Sequence, residues 1–201
     1  MILTIKSGSI EETNEEEWQQ QYATNVFGVV NLTKSFLPYF RRSGGTICTV
    51  SSLVGLLSIG MLSVYGSSKH ANEGIMEGLD QEFKAAGLPI KVLIIEPGAF
   101  KTKFNNNTFG AKNEIEDYKP ARVQIAEFFK TKFNEIGGNA KIGASRMADA
   151  LLGEGMVAGK EIPLRLALGG DSVDEPIRKF TDLIQTRQDW REFSTSSDPK
   201  R

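Results

Sequence analysis

Tyr65 and Lys69 stand four residues apart, so on a helix they project from one face, about a turn from each other. A phenol beside an ammonium can give up or take a proton, because the positive charge lowers the cost of the phenolate. Two hydroxyls, Ser51 and Ser52, open the same stretch, SSLVGLLSIGMLSVYGSSK at 51–69. They follow a short apolar run at 46–50 that reads as a buried strand, which puts them at a strand's carboxyl end. In an open α/β sheet the crevice beyond those ends is where ligands bind. Together these residues outline a proton-transfer site. Asn25 also asks for a reason. It falls within a long helical pattern, where its side chain competes with the backbone for hydrogen bonds. It reads either as a kink with a task or as a polar residue on the helix surface.

The elements that must position these residues are legible around them. Thr13-Asn14-Glu15-Glu16 has the form of a capping box with Thr13 as N-cap. From there Trp18, Tyr22, Val26, Val30 and Leu37 recur at helical spacing to about Arg42, and Gly44-Gly45 end the helix. A strand at 46–50 and a loop at 52–64 lead to a helix over 65–86, with Ala71, Ile75, Leu79 and Phe83 as its apolar stripe. Residues 90–95, IKVLII, read as a strand covered on both faces, as parallel strands are. This alternation predicts an α/β doubly wound parallel sheet. Glu96-Pro97-Gly98 closes the strand and starts a long, polar, Asn-rich loop of the kind that is functional or disordered. Helices at 120–136 and 145–152, a strand at 162–168 and a helix at 174–193 follow. A polar tail at 194–201 is expected to be disordered.

Composition narrows the function classes. A net charge of −1, from 24 basic and 25 acidic residues, gives no footprint for nucleic acid or an anionic membrane surface. The single cysteine, Cys48, excludes a disulfide framework, fits a reduced cytoplasmic setting and reads as a small buried hydrophobe. No apolar run approaches the roughly 18 residues needed to span a bilayer, and the first residues lack the long apolar core of a signal peptide. His70 points to a different helix face from Tyr65 and Lys69 and reads as a packing or surface residue. No metal is expected.

Four features occur in order: Asn25-Val26-Phe27-Gly28; Thr49-Val50-Ser51-Ser52 with Leu53-Val54-Gly55; Tyr65-Gly66-Ser67-Ser68-Lys69; and Pro97-Gly98 followed by Thr102. Together they resemble the classical short-chain dehydrogenase/reductases, over nearly the whole chain. The resemblance implies a Rossmann-like fold and an NAD(P)-dependent oxidoreductase that interconverts a carbonyl and an alcohol by hydride transfer. Tyr65 would be the general acid/base. Working as a base at neutral pH, it would need its pKa lowered by about 3 units, or roughly 4 kcal/mol, part of it from Lys69. Ser52, at the family's spacing from the tyrosine, would bond the substrate oxygen, and Asn25 would hold a water that relays protons to the lysine. Tyr65, Lys69, Pro97, Gly98, Phe100 and Thr102 would face the nicotinamide end of NADP or NAD, with NADP slightly ahead. Helices 14–42 and 65–86 would build a homodimer or homotetramer interface.

The departure from the family is at the front. No glycine-rich turn leads into a helix to hold a pyrophosphate. Residues 1–193 therefore read as the C-terminal part of one such domain, with roughly 75–80 residues absent ahead of Met1 by the arithmetic of βαβ units. Loss of those strands would leave the apolar faces of Ile47, Val50 and 92–95 exposed, and would make the chain unstable and weak in dinucleotide binding. The alternative is a non-catalytic remnant that acts only through its subunit-interface helices. A nucleotide-sugar enzyme, which shares Tyr-x-x-x-Lys, is disfavoured by the short region after the site. The substrate is expected to be a small, partly apolar carbonyl or alcohol, in a pocket of Leu53, Leu56, Met61, Phe100, Phe104 and the loop at 105–113.

Overall fold

The strand β3 (Ile90–Pro97) carries apolar residues on both alternations, and such a strand is stable only with both faces covered. The computed structural model describes residues 5–102 and 108–199. In it β3 lies between β2 (Gly45–Val50) and β5 (Arg165–Leu168), parallel to both. The register sets Ile47 opposite Val92 and Ile95 opposite Leu166. Ile90, Val92 and Ile94 pack with Ile47 against Met76 and Phe83 of α3 (Ser63–Ala85) and against Val29 and Leu37 of α2 (Gly28–Ser43). On the other face Leu93 and Ile95 meet Met147 and Ala150 of α6 (Ala140–Leu152). Each such burial contributes about 1.5–3 kcal/mol relative to exposure. The exposure expected of Ile47 and 92–95 is therefore not found, because helices cover the sheet on both sides. Val50, at the carboxyl end of the outer strand β2, is 43% exposed.

The first long helical pattern is broken where Asn25 stands. It comprises α1 (Glu15–Tyr22), a π-helical turn at Ala23–Phe27, and α2. The cap is one residue later than the sequence pattern suggested. Asn14 Oδ1 accepts from the Glu17 N–H at 3.0 Å, and Glu17 returns a bond to the Asn14 N–H at 3.1 Å. Thr13 instead accepts from the Trp18 indole at 3.1 Å, while Glu16 is taken up by Gln20 on the helix surface.

Two strands of three residues each, β1 (Ile5–Ser7) and β4 (Thr108–Gly110), form a second, parallel pair. Such strands are too short to show an alternation. The helix read over 120–136 is α4 (Lys119–Glu127), a π turn at Phe128–Lys132 and α5 (Phe133–Ile136). α6 starts earlier than 145, because Asn139 Oδ1 caps it by accepting from the Lys141 and Ile142 N–H groups. The last strand is confined to 165–168. The terminal helix is α7 (Gly170–Asp189), followed by α8 (Arg191–Thr195). Among the described residues no helix is long and apolar enough to cross a membrane.

Candidate active site

Three elements deliver the site. β2 ends at Val50, and the Ser51 N–H continues its ladder onto the Ile95 carbonyl at 2.8 Å. Ser52 is extended, and its Oγ accepts from the Val54 N–H at 3.3 Å, capping the turn Leu53–Gly55. The chain enters α3 through Met61, whose backbone is left-handed (φ 65°) and whose carbonyl accepts from the Gly8 N–H at 2.8 Å. Such a conformation costs a non-glycine residue of order 1 kcal/mol and persists only where packing over-determines it; here Met61 is buried.

Tyr65 then lies 6% exposed among Ile5, Val54 and Leu62, with the Ser52 hydroxyl bonded to its phenol. Lys69, one turn on, is 2% exposed; its Nζ donates to the Val50 carbonyl at 3.0 Å and sits 5.9 Å from the centre of the Tyr65 ring. The structure thus brings Ser52, Tyr65 and Lys69 together.

The electrostatics differ from the sequence expectation in sign. Burial pushes the Tyr65 phenol up to about 12, against the lowering effect of the Ser52 bond. Burial also pulls the Lys69 ammonium down to about 8, against the raising effect of Glu73. The lowered phenol that base chemistry would need is therefore not a property of these side chains by themselves, because desolvation outweighs the Ser52 hydrogen bond. At neutral pH Tyr65 is a proton donor.

Asn25 is 1% exposed and belongs to the π turn. Its Nδ2 donates to Ser68 Oγ at 3.0 Å, and its carbonyl accepts from Asn72 Nδ2 at 2.7 Å. It is thus tied to the α3 residues that flank Lys69, and the reading as a polar surface residue is excluded. Among the described residues its Oδ1 makes no hydrogen bond to the protein.

Pro97 and Gly98 end β3 facing Lys69 across one cavity of about 300 Å³, which Ser52, Tyr65 and Thr102 also line. Asp171, at the start of α7, was not anticipated. Its Oδ2 accepts from the Ala99 N–H at 2.8 Å, and its neighbour Ser172 donates to the Glu96 carbonyl at 2.6 Å. The backbone beside Phe100 is paired with Gly138 through the Lys101 N–H (3.0 Å) and the Ala99 carbonyl (2.9 Å). The Phe100 ring fills the room left by Gly143, where a methyl group would come within 2.6 Å of it.

Apart from Ser51 and Asp171, the rest of the cavity wall is apolar: Val54, Ile59, Leu62, Phe128, Phe129 and Phe133 among others. The three phenylalanines form one aromatic cluster, with ring centres 5.5–6.3 Å apart. Leu53 and Phe100 line the cavity as expected; Leu56 and Met61 do not. The backbone carbonyl of Leu56 accepts from Lys179 of α7 at 2.6 Å. Phe104 and 105–107 lie outside the described residues, and 108–110 form β4.

An ammonium, a phenol, a threonine hydroxyl and a Pro-Gly turn around one cavity suit the ribose hydroxyls and carboxamide of a nicotinamide riboside. The residues present fit that half of the dinucleotide. Among the described residues no group of three or more His, Cys, Asp or Glu could hold a metal ion.

A family profile described as short chain dehydrogenase matches residues 3–113. Oxidoreductase BOA17 of Botryotinia fuckeliana (strain B05.10) is 31% identical over 193 residues, covering 95% of this chain and 67% of that protein. A short-chain dehydrogenase from Streptomyces avermitilis has a TM-score of 0.83 at 31% identity, over 98% of this chain and 69% of the other. A short-chain dehydrogenase/reductase from Burkholderia phymatum, solved in complex with NAD, has a TM-score of 0.67 at 17% identity, over 98% and 67% of the two chains, and shares the fold. The chain spans 67% of the length of BOA17 and 35% and 58% of two other curated relatives. On the profile match and the full-span likeness to BOA17, with a Rossmann-like parallel sheet under the site, the chain belongs to the short-chain dehydrogenase family.

Proposed function

We propose that this chain supplies the carbonyl–alcohol chemistry of an NAD(P)-dependent oxidoreductase. The observation that carries the reading is the hydrogen bond of Ser52 to the buried Tyr65 phenol with buried Lys69 one turn behind it, all three opening on one cavity. A substrate carbonyl oxygen held between Ser52 and Tyr65 would accept the Ser52 hydroxyl as a hydrogen bond. Tyr65 would give its phenolic proton to that oxygen, and the Lys69 ammonium would stabilise the phenolate left behind. Bound NADP or NAD would supply the hydride chemistry; the Burkholderia phymatum protein was solved with NAD. Lys69, Pro97, Gly98 and Thr102 would hold its nicotinamide end, with Phe100 packing the turn that carries them. Asn25 would bind a water through Oδ1 and connect the lysine to solvent.

The aromatic and aliphatic wall favours an uncharged, largely apolar ketone or its alcohol, since a charged group there would be desolvated without a partner. Tyr65→Phe keeps the ring and removes the proton. It should cut NADPH-dependent reduction of an apolar ketone by at least about 100-fold while leaving the cofactor's affinity within about threefold. Retained turnover would dismiss the assignment.

One observation favours a second reading, a non-catalytic assembly role. α2 exposes Phe27's neighbours Leu32, Phe36 and Tyr39 at 51–62%. That reading predicts self-association of a chain that gives no fluorescence change with NADPH.

A further inference from the structure

Behind Lys69 lies a set of buried charges that the Ser52–Tyr65–Lys69 chemistry does not itself use. Glu73 follows Lys69 by four residues on α3, so the two share a helix face. Glu73 is 5% exposed and Glu96, near the end of β3, 4%. Glu73 Oε2 accepts from Arg165 Nε of β5 at 2.9 Å, and the same nitrogen is 3.5 Å from Glu96 Oε1. The outer end of the guanidinium donates to Glu77, nearer the surface, at 2.8 Å. Two buried carboxyls thus meet one guanidinium that is already shared with a third. Buried ions are costly unless paired, and Lys69, one turn before Glu73 on the same helix face, is a buried cation.

Gly55 shows how close the carboxylate comes to the catalytic strand end. A side chain there would approach Ser51 Oγ to 2.5 Å and Glu73 Oε1 to 3.1 Å. Those two oxygens flank the space at Gly55, and Ser51 directly follows Val50, whose carbonyl already accepts from Lys69. Ser51 is thereby assigned a side: it faces the carboxylate, while Ser52 faces the phenol.

We propose that Glu73, backed by Arg165 and Glu96, is a positioning residue that keeps the buried Lys69 ammonium charged. The titratable groups around this cluster are Tyr65, Lys69, Glu73 and Glu77 of α3, Glu96 of β3 and Arg165 of β5, with Asp171 of α7 on the wall of the cavity that Tyr65 and Lys69 also line. Burial draws Lys69 down and Glu73 opposes it. Burial and then the charge of Glu73 hold Glu96 up at about 7, with Arg165 opposing. Glu96 thus ionises near neutral pH, and the lysine loses its proton at about 8. The consequence for proton transfer rests on the proposed function; the coupling of charges is measurable without turnover.

The test is a pH titration of the Lys69 side-chain resonance in the full chain with ¹³C-labelled lysine, the signal being identified by its loss in Lys69→Arg. Glu73→Gln should lower the Lys69 midpoint by about half a pH unit or more, and Glu73→Asp should restore part of the shift. Glu77→Gln, which contacts the same guanidinium from the surface, should leave the midpoint within about 0.2 unit. Should Glu73→Gln not fold, Glu96→Gln takes its place, with a smaller shift in the same direction. A Lys69 midpoint unmoved in whichever of these variants retains the native circular dichroism overturns the inference. A midpoint that moves in a chain without turnover supports it and counts against the proposed function alone.

Discussion

Tyr65 holds its proton more tightly than free tyrosine because it is buried beside apolar residues, and Lys69 holds its own less tightly for the same reason. One cause with opposite effects on an acid and a cation gives the centre a direction. In the proposed reduction the phenol would start protonated, and the lysine would have to be charged to stabilise the phenolate. Lys69 is charged below about 8 and neutral above it. Ketone reduction should therefore be level between about pH 6 and 7.5 and fall above the lysine's pKa, with a slope approaching one log unit per pH unit. A rate that stays level or rises through pH 9 would show that a charged Lys69 is not required. At this scale the sequence was informative where partners are near neighbours. The helix brings Tyr65 to Lys69, and the strand end brings Ser52 to both. Glu73 was within reach of the same reasoning, four residues beyond the lysine. Arg165 was not, because 92 positions separate it from Glu73 and only the β3–β5 pairing brings them together.

At the level of elements, the end of β3 is held by α7 rather than by its own turn. Asp171 bonds the Ala99 N–H, and Ser172 bonds the Glu96 carbonyl, so two consecutive residues of one helix start fix both sides of Pro97-Gly98. A methyl group at Gly98 would overlap the Asp171 carboxylate. Gly98→Ala should accordingly cost about 1–3 kcal/mol, as overpacking does, and lower Tm by several degrees. Adding Asp171→Ala removes the obstacle, so the double variant should melt higher than the sum of the two single effects predicts. Additive losses in calorimetry would mean that the two residues are not in contact. The Pro-Gly turn itself was legible, because proline and glycine punctuate a strand end. Its clasp was not, since an aspartate in the first turn of a helix already has a local reason to be there. The π turn at Ala23–Phe27 shows the same limit. An inserted residue barely changes an apolar period read over several turns, and only the misplaced amide of Asn25 marked it.

For the whole molecule, the question is what holds the aromatic lid, α4 to α5, over the cavity. Ile125 and Phe129 pack against Ile5, Val54, Leu62 and Tyr65. Beside that packing Glu12, 1% exposed in the segment after β1, accepts from the Ile115 N–H at 3.0 Å and from Arg122 of α4. Arg122 NH1 also donates to the Ile115 carbonyl at 2.7 Å, and Glu12 accepts from the Ser9 N–H at 2.9 Å. Burial raises the carboxyl, but the backbone bonds from Ile115 and Ser9, with Arg122 beside it, hold it below the ordinary glutamate range. The clasp joins positions 110 residues apart and runs parallel to the β1–β4 pairing beside it. Removing the cation leaves a buried carboxylate with only neutral donors, which is the costly half of a broken pair. Arg122→Leu should lower Tm by at least about 4 °C, equivalent to about 2 kcal/mol, and Glu12→Gln with Arg122→Leu should recover part of it. Because the clasp is local to the lid, amide exchange should quicken first in 115–136 and leave β3 protected until global unfolding. Exchange that quickens equally in β3 and the lid would place the clasp in the core's cooperative unit, and the lid could then not open without unfolding the sheet.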